Sequence, residues 1–100
     1  MRIVAESNLR DYWRRHPNAR RALEHWRATV KAARWQSTRD VLLTFSKAKV
    51  LNSERVRFEV SGGNFRLVVA FEFRRQIAFI KFVGTHAEYD AIDALTVSTF

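Results

Sequence analysis

From Arg55 onward the apolar residues fall at every second position, and this alternation limits the fold more than any other feature of the chain. Val56, Phe58 and Val60 alternate with Arg55, Arg57, Glu59 and Ser61. That is the pattern of a strand with one buried and one wetted face. Gly62 and Gly63 supply a tight turn. Phe65, Leu67, Val69 and Phe71 then alternate with Arg66, Val68 and Ala70. Arg74, Arg75 and Gln76 turn the chain again before an apolar strand from Ile77 to Val83. Three consecutive strands with short connections predict an antiparallel meander.

The residues ahead of the meander follow helical spacing. Met1 to Ala5 is short and β-prone, a first strand whose place in the sheet is open. Leu9, Tyr12 or Trp13, and His16 recur at three- and four-residue steps, which predicts a helix over Ser7 to His16. Pro17 ends it and opens a second helix that runs to about Arg34. Ala19, Ala22, Leu23, Trp26, Val30 and Ala33 fall on one face of that helix, and the charged residues opposite them read as its wet side. Trp13, Trp26 and Trp35 read as anchors between helix and sheet. Ser37 and Asp40 have capping-box spacing ahead of Val41, so one further helical turn is expected there. Ser46, Lys47 and Lys49 read as a basic surface loop.

The 100 residues suit a single domain spanning 1–100. No cysteine is present, which removes disulfides, zinc–thiolate sites and cysteine nucleophiles and fits a cytoplasmic location. Met1 to Ala5 leads directly into a charged helix with no signal-peptide pattern, and no apolar run is long enough to span a bilayer. The net charge is +8, and fourteen of the eighteen cations are arginine, whose planar fork suits phosphate better than the point charge of lysine. The expected partner is therefore a polyanion, with nucleic acid ahead of a membrane surface.

Chemistry-bearing residues concentrate after the last strand. The chain is expected to break at Gly84 and enter a short helix, with Thr85 and Glu88 at capping-box spacing. His86 then lies in the first turn with Tyr89 and Asp90 beside it. Two helices on one sheet face leave Arg57, Glu59 and Arg66 on the other, while Lys81, in a strand apolar on both sides, has no assigned face. Metal-free RNA cleavage needs proton transfer to and from oxygen and a cation for the phosphorane-like oxygens. His86 can supply the first, oriented by Tyr89 or Asp90, and Arg57 with Arg66 the second. The same segment also reads as a cap with a solvated face, and spacing alone leaves both readings open. No phosphate-binding glycine loop, nucleophile elbow or metal motif occurs, so no cofactor is expected.

FRLVVAFEF, Phe65 to Phe73, followed by IKFVGTHAEYDAID, Ile80 to Asp93, resembles the HigB family of toxins from toxin–antitoxin pairs. MRIVAESNLRDYWRRHPNA resembles that family's opening strand, helix and His-Pro turn, and Ala32 to Trp35 resembles the end of its second helix. The resemblance implies an α+β, RelE-like fold ordered β-α-α-β-β-β-α, with a mainly antiparallel sheet packed on a two-helix hairpin. It implies an mRNA interferase, often ribosome-associated, that cuts without metal through a 2′,3′-cyclic phosphate. A HigA-like helix-turn-helix antitoxin is the implied partner. By this resemblance the catalytic set is Arg66, His86, Tyr89 and Asp90, and Arg55 is an RNA contact; Arg57 and Lys81 are expected as further RNA contacts from the basic sheet face. Asn64 and Phe65 stand where relatives commonly carry lysine and tyrosine, which removes a cation and a hydroxyl beside the expected site.

Two other activities are compatible with the same residues. A toxin of the ParE type shares the scaffold and acts on DNA gyrase without cutting RNA. A basic RNA-binding module would use the cations and none of the proton chemistry. The GTHAEYD segment, Gly84 to Asp90, favours the nuclease.

Overall fold

A computed structural model describes all of residues 1–100. It has the expected α+β architecture, with β1 (Arg2–Val4), α1 (Ser7–Arg15), a 3-10 turn at Pro17–Ala19, α2 (Arg20–Ala32) and α3 (Thr38–Thr44). Then follow β2 (Lys49–Val50), β3 (Arg55–Val60), β4 (Phe65–Glu72), β5 (Ile77–Thr85) and α4 (His86–Asp90). The sheet order is β1-β5-β4-β3-β2. β3, β4 and β5 form the antiparallel meander, but β1 runs parallel to β5, so the sheet is mixed. Part of the basic loop is strand: Lys49 and Val50 pair with Arg57 and Val56 at the outer edge. No helix is long and apolar enough to cross a membrane.

Both long helices pack on one sheet face. Leu9, Leu23, Trp26 and Val30 meet Val56, Phe58, Leu67, Val69 and Ile80 in a single buried cluster. A relay of edge-to-face rings runs through it: Phe58 lies 5.4 Å from Trp26, 5.2 Å from Phe45 and 6.2 Å from Phe71, and Phe71 lies 5.8 Å from Trp35. Such pairs add to the burial of ring area itself. Glu6 clamps the hairpin from outside, accepting from Arg27 of α2 and meeting Lys31 at 2.9 Å and Arg10 at 3.9 Å. The Met1 ammonium donates to the carbonyls of Val30, Lys31 and Ala33, closing the C-terminal end of α2.

Several local expectations are corrected. α2 ends at Ala32 rather than Arg34, as the chain becomes extended at Ala33. The Ser37–Asp40 capping box does not form; Ser37 makes no side-chain cap bond, and Asp40 Oδ2 instead accepts from the Gln36 N–H at 2.8 Å. Gly84 does not end the last strand: Gly84 pairs with Arg66 and Thr85 with Phe65. A Cβ at Gly84 would lie 2.6 Å from Cζ of Phe82, so glycine here makes room for a ring rather than breaking the ladder.

The facing of Lys81 follows from a bulge. Val68 pairs with Phe82 and Val69 with Ile80, leaving Lys81 as the extra residue in β5. Ile80 and Val83 belong to the helix-side core, while the Lys81 ammonium lies 5.6 Å over the Phe79 ring, away from that core. Lys81 is therefore on the outer face, with Phe82 beside it.

Candidate functional site at the outer sheet face

The outer face presents Arg55, Arg57 and Glu59 from β3 and Arg66 and Val68 from β4. Glu59 pairs with Arg66 across the ladder, and Arg66 pairs with Gly84, two residues before His86. The arginines do not float in solvent. Arg66 is only 7% exposed, donates to the Gly63 carbonyl at 2.8 Å and lies 3.6 Å from Glu59. Arg57 lies 3.8 Å from the same carboxylate oxygen and donates to the Lys47 carbonyl at 3.4 Å. One carboxylate thus sits between two guanidiniums, and the Nε–H of each arginine is buried without a protein acceptor. Glu59 holds the two forks at neighbouring positions but offsets only one of their two charges, so a net positive site remains.

α4 carries the proton-transfer candidates. The Thr85–Glu88 capping box forms as expected, with Thr85 N–H donating to Glu88 at 2.8 Å and Glu88 N–H donating to Thr85 Oγ1 at 3.1 Å. These Thr85 bonds, backbone first, hold the Glu88 carboxyl below its usual range. The His86 N–H donates to the Asn64 carbonyl at 3.1 Å, which ties the start of α4 to the β3–β4 turn. Nδ1 of His86 meets Oδ2 of Asp90 at 2.9 Å. With Nδ1–H donating to Asp90, a neutral imidazole keeps its acceptor lone pair on Nε2. Of the two residues that sequence spacing offered as orienters, Asp90 holds that position. Tyr89 instead covers the sheet, its ring 6.4 Å from that of Phe82.

Arg66 and Arg57 therefore stand toward the end of the sheet from which α4 and its His86–Asp90 pair extend, while Arg55 and Lys81 belong to the other half of the outer face. The Arg55 guanidinium is engaged: Nη1 donates to the carbonyls of Ala94 and Val97 at 3.0 and 2.8 Å. Thr99 N–H donates to the Lys81 carbonyl at 2.9 Å. The segment after α4 thus crosses the outer face from β3 to β5. Val68 and Phe82 are buried there without belonging to the helix-side core. Sequence reading left this segment without a role because its anchors are backbone carbonyls and amides, which leave no residue pattern.

Phe65 also departs from expectation. Its ring faces the helices, 5.9 Å from Tyr12 and 5.8 Å from His16, which stack on each other at 4.2 Å. A hydroxyl on that ring would point toward α1, on the opposite side of the sheet from Arg66. Tyr12 OH is buried there without a partner, and burial, with a contribution from Glu88, pushes its pKa up to about 12. Glu59 is the residue whose role sequence reading missed. Its position directly across from Arg66 was the available signal. No three His, Asp or Glu side chains converge as a metal-binding group.

A comparison with curated proteins finds no match. Residues 19–92 match the family model for HigB toxins, described as the RelE-like toxic component of a toxin–antitoxin system. That span takes in α2, the whole meander and α4, and so includes every residue of the arginine–histidine end. An antitoxin partner is implied by the family, and the chain, with its RelE-like fold, belongs to the HigB toxins.

Proposed function

We propose that the chain is a ribosome-associated endoribonuclease that cuts messenger RNA without a metal and so stops translation until its helix-turn-helix antitoxin binds. The observation that carries this reading is the His86–Asp90 pair at 2.9 Å, set at the same end of the sheet as two arginines bridged by Glu59. His86 Nε2 takes the proton from the 2′-hydroxyl as that oxygen attacks phosphorus. Arg66 and Arg57 stabilise the charge that builds on the phosphoryl oxygens. The P–O5′ bond then breaks, leaving a 2′,3′-cyclic phosphate, and the departing oxygen takes a proton from the imidazolium or from water. Asp90 fixes the tautomer and steadies the imidazolium. Tyr89, lying over Phe82, is a positioning residue for α4. Arg55 and Lys81 contact RNA farther along the face.

The test expresses the wild type, His86→Ala and Arg66→Lys and follows growth together with primer extension on cellular mRNA. His86→Ala should reduce cleavage about 10²- to 10⁴-fold, the usual contribution of a positioned acid–base group. His86 is exposed, so folding should be unaffected. Discrete new 5′ ends that persist at wild-type levels in His86→Ala would rule out this assignment. Growth arrest with inhibited supercoiling and no new ends would point to a gyrase-directed toxin instead.

A further inference from the structure

A cavity of about 480 Å³ opens on the outer face away from His86, walled by β3, β4, β5 and the β4–β5 turn. Its walls carry Arg55, Arg74 and Lys81 together with Phe73 and Phe79, and also Glu54 and Glu72. Arg55, Arg74 and Lys81 form no ion pair anywhere in the molecule. Arg55 bonds only to neutral carbonyls, and Lys81 lies 5.6 Å over the ring of Phe79. Glu72 also lines the cavity and is engaged by Arg75, accepting from its N–H at 3.0 Å and lying 3.9 Å from its guanidinium. Glu54 is exposed at the rim. Three cations against two carboxylates, one of them already engaged by Arg75, leave the hollow with a net positive charge.

Resting on the nuclease reading, we propose that this cavity is a second RNA subsite, which takes a nucleotide of the same strand some way along from the scissile phosphate. Lys81 and Arg74 hold its phosphate, and its base lies against the apolar walls. Arg66 and Ala70 are four residues apart on β4, so the cavity is about 13 Å from the cleavage end. A dinucleotide at His86 cannot reach it, whereas a longer strand can. The bulge is what makes this possible, because it turns the Lys81 side chain to the face where Arg55 and Arg74 already stand. The chain is thereby a reader of RNA length, binding a strand at two places along one sheet face.

Non-cleavable 2′-O-methyl RNAs test it, a dinucleotide against a hexamer, with the full-length protein and the variants Lys81→Ala and Arg74→Ala. Arg74 is exposed, so its loss tests the site even if Lys81→Ala disturbs the bulge. Each variant should weaken hexamer binding roughly three- to tenfold, and each should lower the slope of log affinity against log salt by about 0.7, one single-strand phosphate contact. In Arg74→Ala, dinucleotide affinity should stay as in the wild type. Equal losses for both RNAs, no loss for either, or a loss seen only with an acidic polyglutamate probe would overturn the subsite. In those cases wild-type cleavage that depends on His86 leaves the nuclease reading standing. A wild type that neither cuts mRNA nor binds the hexamer sinks both.

Discussion

The two faces of the sheet are built on opposite principles. On the helix side, side chains from α1 and α2 meet those of β3, β4 and β5 in one apolar cluster, with rings set edge to face. On the outer side a small apolar strip, Val68 and Phe82, lies among arginines whose partners are backbone carbonyls and a shared carboxylate. The first face lowers the free energy of folding by removing hydrocarbon from water. The second uses part of that gain to hold like charges close together. Stability and the proposed chemistry are therefore separated by the thickness of one sheet, and substitutions should sort by the face they touch.

The sharpest way to break that division is Phe58→Ala. Phe58 is 2% exposed and joins Trp26, Phe45 and Phe71, so its removal should cost about 3–5 kcal/mol. Chemical denaturation should record that loss. The cleavage rate of the protein that stays folded in the cold should be close to wild type, and a large drop there would show the faces to be coupled. Gly84→Ala acts where they meet. The new methyl collides with the Phe82 ring at 2.6 Å, and overpacking of this kind costs about 1–3 kcal/mol. It should also shift α4 against the arginines, so that both melting temperature and cleavage fall; a change in only one would separate the two roles of this position.

The smallest effect belongs to Glu6, on the helix side and outside the core. Burial works to raise its pKa, but hydrogen bonds from Lys31 and Arg27 prevail and hold the carboxyl below its usual 4.5. A carboxyl lowered in the folded state adds stability that is complete above the unfolded value. That stability drains away as pH falls from about 4.5 through the folded pKa. Glu6→Gln should remove this part of the acid dependence. At pH 7 it should cost about 1 kcal/mol or less, because the group is partly solvated. Thermal melts across pH 3–7 check both statements, and an unaltered acid slope would show the clamp to be energetically idle.

What could be read from the chain was local. The alternation after Arg55 and the spacing of Thr85 and Glu88 are set by neighbours in sequence, and both appear as expected. The helices also followed their spacing, apart from frayed ends. The parallel docking of β1 on β5 rests on partners more than seventy residues apart, so no local pattern encodes it. The Ser37–Asp40 spacing misled because Asp40 is taken by a different amide. Phe65 seemed to border the arginine site in sequence, yet successive strand residues face opposite ways, and its neighbour Arg66 has the other side. The histidine–carboxylate pair was legible from helix spacing, whereas the sharing of Glu59 by two arginines required the β3–β4 register.

The bulge in β5 also sets the chain's tolerance to length change. A one-residue deletion within a regular strand turns every later side chain to the wrong face. Removing Lys81 would instead leave Ile80 opposite Val69 and Phe82 opposite Val68, the partners they already have. Lys81 is thus the position in this strand where a codon could be lost with the ladder kept in phase. Such a shortened chain would keep Arg66, His86 and Asp90 on their present partners, while losing one cation from the far cavity.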